Sequence, residues 1–316
     1  MLTLAAGGSE LDVALLGATP LRWSVVLVDG PVDVVDGYRD ADELLAQDGV
    51  RNGIMAPFCN RVKDGRYVFD GAEHDLLPGA TDRTIYHGLT RTRPFTVVDV
   101  RTGNGCAGVT LRCAALAEDP APGYPFAVVV DVRFDLHPTS LRVEISGTNR
   151  GADPAPFATG WHPYFRLPGA PTIDDLHLVV PSTRPIRTDR DLIPLPGGAA
   201  FDGGPPGVTR WSPLGGAVID MAYEDLQTDA GAARTALSAP GSGVGLVLLQ
   251  ERGLVHVFTG DTLTRDRRRS VALEPVEAMT DAFNRPDCAE AIRLEPGATR
   301  TFTFDVALKP GRTTVR

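Results

Sequence analysis

Val130-Asp131-Val132-Arg133-Phe134-Asp135-Leu136 leads through His137-Pro138-Thr139-Ser140 into Leu141-Arg142-Val143-Glu144-Ile145. Apolar and polar residues alternate on both sides of the turn-prone tetrapeptide. A period of two puts Val130, Val132, Phe134 and Leu136 on one face and Asp131, Arg133 and Asp135 on the other, the signature of a half-buried β-hairpin. Working outward, Phe95 to Val100 and Gly108 to Cys113 flank Thr102-Gly103-Asn104-Gly105, where Asn104 and Gly105 tolerate the positive φ of a tight hairpin turn. Late in the chain, Gly245 to Gln250 and Leu254 to Phe258 flank Glu251-Arg252-Gly253. Phe302, Phe304, Val306 and Leu308 then alternate with Thr303, Asp305 and Ala307. Helical pattern is scarce. Asp40 to Gln47 makes about two turns at most, with Asp40 as its cap.

The 34 glycines and 26 prolines are spread through the chain, which suits many short strands joined by turns. No internal repeat or linker divides it, so residues 1–316 are expected to form a single all-β domain. The Pro-rich stretches Asp119 to Pro125 and Pro194 to Pro206 are expected as surface loops. With 31 Lys and Arg against 40 Asp and Glu, the net charge is −9. This argues against a nucleic-acid partner, whose phosphates demand basic residues. No apolar run is long enough to span a bilayer, since Val25 to Val28 and Val244 to Leu249 are strand-sized. The first ten residues lack a basic segment followed by a continuous apolar one, so a cytoplasmic location is expected. Cys59, Cys106, Cys113 and Cys288 show neither a disulfide framework nor a zinc spacing and are expected as buried thiols.

Several motifs fail on context. Gly241-Ser242-Gly243-Val244-Gly245 feeds a strand and not the helix that a dinucleotide loop must open. Arg265-Asp266-Arg267-Arg268-Arg269 is a dense basic run, expected as a solvated loop, with phosphate recognition as the sharper alternative. None of the six histidines has a second at metal-ligand spacing, so no metal is expected. His137, His177 and His256 lie in or beside strand patterns and are expected to be structural. His87 sits beside Gly88, where a backbone can approach a ligand closely. His162 precedes Pro163, which holds it extended in an aromatic segment. Glu274, between Leu273 and Pro275, is expected to end an apolar strand, where desolvation would raise its pKa toward neutrality. Glu277 and Asp281 are further acids nearby.

Several segments, taken in chain order, resemble the motifs of the aldose 1-epimerase (galactose mutarotase-like) family. They are Asn60-Arg61 with the hairpin Gly65 to Gly71, Tyr86-His87-Gly88, and Gly160-Trp161-His162-Pro163-Tyr164-Phe165. Ile219-Asp220 with Tyr223, Leu273-Glu274-Pro275 with Thr280 to Asn284, and Leu294-Glu295-Pro296-Gly297 complete the set. The resemblance implies a large antiparallel β-supersandwich and a monosaccharide as partner. It implies His162 as general acid, Glu274 as general base, and Arg61, His87, Asp220 and Asn60 as residues that hold the sugar. Leu89, where many members have a second glycine, and Val276, where many have glutamine, depart from the pattern.

Opening and reclosing a cyclic hemiacetal needs a base for the anomeric hydroxyl and an acid for the ring oxygen. An imidazolium at His162 and a carboxylate at Glu274 would suffice without metal or cofactor. Trp161, Tyr164 or Phe283 could offer an apolar face to sugar C–H groups. Three alternatives stand beside the aldose 1-epimerase reading. A hexose-6-phosphate 1-epimerase-like enzyme would grip phosphate with Arg91, Arg93 or the Arg265 to Arg269 run. A carbohydrate-binding protein would do no chemistry. A glycoside hydrolase would pair Glu274 with Glu277 or Asp281.

Overall fold

The computed structural model describes residues 1–201 and 205–309. The central hairpin forms as its alternation demands. Val128–Leu136 and Ser140–Asn149 pair antiparallel, with Val132 opposite Ile145 and Phe134 opposite Val143, and every second residue is buried. This hairpin sits inside an antiparallel ten-stranded sheet. Thr299–Lys309 joins one flank and Cys106–Cys113 the other. Beyond Cys106–Cys113, Thr96–Gly103 forms the exposed sheet edge, joined through a turn in which Asn104 (φ 52°) and Gly105 (φ 74°) are both left-handed. The short helix spans Ala41–Ala46. Asp40 accepts a hydrogen bond from the Glu43 N–H at its start, and Gln47 ends it in the left-handed region. Of the Pro194 to Pro206 stretch, residues 202–204 lie outside the described residues.

A seven-stranded sheet runs in the order Arg184–Pro185, Asp220–Glu224, Leu254–Phe258, Val271–Val276, Gly160–His162, Gly53–Met55, with Tyr164–Phe165 also on Val271–Val276. A four-stranded meander, Leu2 to Asp33, precedes both sheets in the chain. Val244–Gln250 and Leu254–Phe258 do not pair with each other, although three residues separate them. The first joins the ten-stranded sheet and the second the seven-stranded one. Gly253 (φ 85°) makes the crossing, and a β-carbon there would lie 2.3 Å from the Val276 carbonyl oxygen. Alternation reports one buried face, so it cannot distinguish a hairpin from a step between sheets.

The two sheets share one apolar core, in which Trp161 stacks on Phe304 with ring centroids 5.8 Å apart. Val255, Val257, Val271, Leu273, Ile54, Trp161 and Phe165 of the seven-stranded sheet point into it. Strand period two then sends the intervening residues to the opposite face. Those residues include His162, His256, Phe258 and Glu274, and they line a cavity.

Glu274 is not at a strand end, as expected from the proline that follows. Val271–Val276 is buried throughout and runs on past Pro275. Pro275 is tolerated because the ladder to the Gly160–Phe165 segment is interrupted there: Gly160 pairs with Val276 and Tyr164 with Ala272, with no pair between. Cys59, Cys113 and Cys288 are buried free thiols, whereas Cys106, beside the edge turn, is half-buried.

Candidate active site

All six residues expected at the site, Asn60, Arg61, His87, His162, Asp220 and Glu274, line one cavity of about 230 Å³. They come from five separate stretches of chain. A more open groove of about 410 Å³ shares Arg61 but touches none of the other five. The titratable cluster therefore marks the smaller cavity as the candidate site.

His162 is fixed from behind by Asn52, a left-handed residue (φ 55°). The Asn52 N–H donates to the His162 carbonyl at 3.0 Å, its side-chain oxygen accepts from the Tyr164 N–H at 3.0 Å, and its carbonyl accepts from the Trp161 indole at 3.0 Å. Tyr164 stacks on the imidazole at 5.0 Å and anchors its hydroxyl on the Gly49 carbonyl. Of the three aromatic candidates, Tyr164 thus lines the cavity. Trp161 faces the core, and Phe283 packs against Phe58 and Tyr67. Tyr223 is also a core residue.

His87 meets His162 edge-on, with centroids 4.9 Å apart, and its Nδ1 contacts the Met55 sulfur. His87 (φ 59°) and Gly88 (φ 76°) are consecutive left-handed residues, and the chain there lies against Ala56. A β-carbon on Gly88 would sit 2.2 Å from the Ala56 carbonyl oxygen and 2.5 Å from the Ala56 carbonyl carbon and nitrogen, all of them backbone atoms. Gly88→Ala is therefore expected to cost about 1–3 kcal/mol from its backbone conformation alone. Overlap with Ala56 adds to this, and His87 should be displaced. A lowered urea midpoint together with weakened sugar binding checks it. Asn60 braces its neighbour: its side-chain oxygen accepts from both the Arg61 N–H (2.9 Å) and the Arg61 Nη1 (3.0 Å).

His162 Nε2 lies 3.4 Å from Glu274 Oε1. The two groups stand side by side, and not on opposite walls of the cavity. His162 Nδ1 and Glu274 Oε2 are both buried with no hydrogen-bond partner, a costly arrangement that a polar ligand would relieve. Burial, assisted by Asp220, lifts Glu274 to about 7 against the opposing charges of His256 and Arg61. Burial and the charge of His256 hold His162 down to about 3, which favours a neutral ring over the expected imidazolium. His87 is also held well below the ordinary histidine range, by burial and by His162.

Sequence reasoning missed His256. It lies directly opposite Glu274 in the ladder, and its Nε2 is 2.7 Å from Asp220 Oδ1. Burial opposes its charge, but Glu274 and the Asp220 hydrogen bond raise its pKa overall. The signal was present in the sequence, since His256 falls between Val255 and Val257 and so points away from the core. Only the register shows what it meets there. Phe258, in the same phase, also lines the cavity.

The other acids and arginines are committed elsewhere. Glu277 contacts Arg252 (2.8 Å) and Arg300 (3.2 Å), and Asp281 accepts from the Lys63 N–H and the Asn284 amide, which removes the carboxylate pair of a glycoside hydrolase. The basic run is less a solvated loop than an ion-pair network. Arg265 engages Asp36, Glu43 and Asp266, and Arg268 engages Asp174 and Asp261. Arg91 donates to Gln47 and the Tyr86 carbonyl, and Arg93 lies 3.7 Å from Asp119. Leu89 and Val276, the two departures from the family pattern, lie outside the cavity lining. Among the described residues, no group of three or more His, Cys, Asp or Glu is arranged to hold a metal ion, and no helix is long and apolar enough to cross a membrane.

Two stacked antiparallel sheets, with a compact cluster of imidazoles and carboxylates on the outer face of one, define a galactose mutarotase-like β-sandwich. The chain belongs to the aldose 1-epimerase family, whose model matches residues 1–307. It is 24% identical over 255 residues to the uncharacterized protein YihR of Escherichia coli (strain K12), covering 80% of this chain and 77% of that protein. It is 23% identical over 188 residues to the galactose mutarotase of Rattus norvegicus, covering 58% of this chain and 53% of the rat protein. The fold matches the crystal structure of a GalM/aldose epimerase homologue from C. elegans with a TM-score of 0.78 at 18% identity, over 97% of both chains.

Proposed function

We propose that this chain is an aldose 1-epimerase that interconverts the α and β anomers of a free aldose such as glucose or galactose. The observation that carries the reading is the contact of an ionisable carboxyl, Glu274, with a buried imidazole, His162, inside a cavity lined by four further polar residues expected to hold a sugar. Glu274 takes the proton of the anomeric hydroxyl as the C1–O5 bond breaks, and His162 delivers a proton to O5. The C1–C2 bond of the open aldehyde rotates, and the steps reverse on the other face of the carbonyl. Only protons move, so the reaction needs no cofactor.

A neutral His162 beside a protonated Glu274 holds the same proton count as an imidazolium beside a carboxylate. Transfer across the 3.4 Å contact therefore reaches the reactive form without exchange with solvent. The higher pKa of Glu274 supports its assignment as the base. Arg61, His87 and Asp220 orient the hydroxyls, with Asn60 holding Arg61, and the partly buried Phe258 offers an apolar face to the ring. The same reading takes the chain as one domain, supported by the core that both sheets share, and as cytoplasmic.

Polarimetry on freshly dissolved α-glucose, α-galactose and other aldoses, with hexose 6-phosphates in parallel, tests the proposal. Accelerated mutarotation of a neutral sugar is expected. Acceleration confined to the phosphates would move the substrate class, and no acceleration on any sugar would leave a carbohydrate-binding protein.

A further inference from the structure

We infer that His256, joined to Asp220, is a positioning residue of this site, a cation that favours the carboxylate form of Glu274 and fixes which oxygen of Asp220 is left for the sugar. The inference rests on the proposed function and goes beyond it, because the acid and base assigned there do not include His256. Its geometric basis is threefold. His256 is the cross-strand neighbour of Glu274, and such partners have β-carbons about 4.5–5.5 Å apart. Its Nε2 is 2.7 Å from Asp220 Oδ1. All three side chains line the same cavity.

Asp220 enters from the strand on the other side of Leu254–Phe258, where it pairs with Phe258 and stands diagonal to His256. His256 is thus held between two carboxylates from two different strands. Each of them alone would raise the pKa of the other by repulsion. A positive charge between them offsets that repulsion and favours the ionised form of both. The remaining charges facing the group are Arg61, which favours ionised carboxylates, and the imidazoles of His162 and His87, held neutral by burial. With His256 protonated, Asp220 and Glu274 are balanced by His256 and Arg61. Without it, two carboxylates face one arginine. The hydrogen bond also occupies Asp220 Oδ1, which leaves Oδ2 to accept from a sugar hydroxyl.

His256→Gln keeps an amide donor for Asp220 and removes the charge, so it separates the electrostatic role from a packing role. With whichever aldose the wild type turns over, the alkaline limb of kcat/KM, set by loss of the one proton that His162 and Glu274 share, should move up by about one pH unit or more in this variant, while transfer of that proton to His162 becomes about tenfold less favourable. The rate at pH 6 should then fall about tenfold and recover toward wild type above pH 8. An unmoved limb, or a uniform loss at every pH, would overturn the inference.

Nuclear magnetic resonance gives a readout that needs no turnover. The His256 imidazole should titrate above the ordinary histidine value of about 6.5 and should fall in Asp220→Asn. The Glu274 carboxyl should titrate higher in His256→Gln than in wild type. A His256 that is neutral at pH 6.5, or a Glu274 titration indifferent to His256, would refute the pairing. Absence of wild-type mutarotation on every sugar would remove the proposed function, and the two titrations would still decide the charge relation.

Discussion

Glu274→Gln is expected to lower kcat for mutarotation by about 10²–10⁴-fold and, at the same time, to make the protein more stable above pH 7. The first effect follows from removing the base while leaving the shape of the cavity unchanged. The second follows from linkage. Folding raises the Glu274 pKa from 4.5 to about 7, so the folded state binds the proton more tightly than the unfolded chain does. Stability is therefore lost as pH rises from the unfolded value through the folded one, by an amount on the order of 3 kcal/mol. Glutamine never ionises and escapes that cost. Urea unfolding at pH 4 and pH 8 checks the sign: the variant should gain on wild type at pH 8 and match it at pH 4.

A loss of turnover accompanied by a gain of stability cannot be assigned to misfolding. His162→Asn should lose a comparable factor in kcat, and the double variant little more than either single one, because the two groups act on one proton inventory. Near-normal turnover in either single variant would refute its assigned role.

Arg51→Met is expected to destabilise the fold by about 3–5 kcal/mol, the usual consequence of stripping one partner from a buried ion pair. The Arg51 side chain is 1% exposed, and its Nη1 donates to Asp36 at 2.6 Å. Asp36 would keep the Ser270 hydroxyl at 3.0 Å and Arg265 at 3.5 Å, which places the loss toward the lower end of that range. The guanidinium also lies 5.3 Å from the Tyr164 ring, and Tyr164 in turn stacks on His162. The variant should therefore lose turnover even under conditions in which it remains folded. Pairing it with Asp36→Asn should recover part of the stability, because the stranded charge is then gone. An unchanged urea midpoint in Arg51→Met would show that the pair contributes nothing.

Part of the candidate site was legible because His162, His87 and Glu274 sit in local patterns that a sequence displays, whereas Asn60, Arg61 and Asp220 were indicated only by the family resemblance. His162 is marked by Pro163, His87 by Gly88, and Glu274 by its apolar surroundings. What escaped was relational. His256 looks like any polar residue within a strand until the register sets it opposite Glu274 and beside Asp220. The basic run from Arg265 to Arg269 looks solvated until Asp36, Glu43, Asp174 and Asp261 arrive from distant stretches to pair with it. The protonation of His162 likewise depended on how deeply the strands bury it, and the expected imidazolium gave way to a neutral ring.

By itself the sequence determined the all-β class, the hairpin from Val130 to Ile145 and the two faces of its strands, since these follow from a two-residue period acting locally. It could not decide that Val244–Gln250 and Leu254–Phe258 enter different sheets, which carboxylate neighbours which imidazole, or which of them carries charge. Those outcomes depend on pairing between residues far apart in the chain and on the water excluded when the sheets close. Only the assembled tertiary structure contains either.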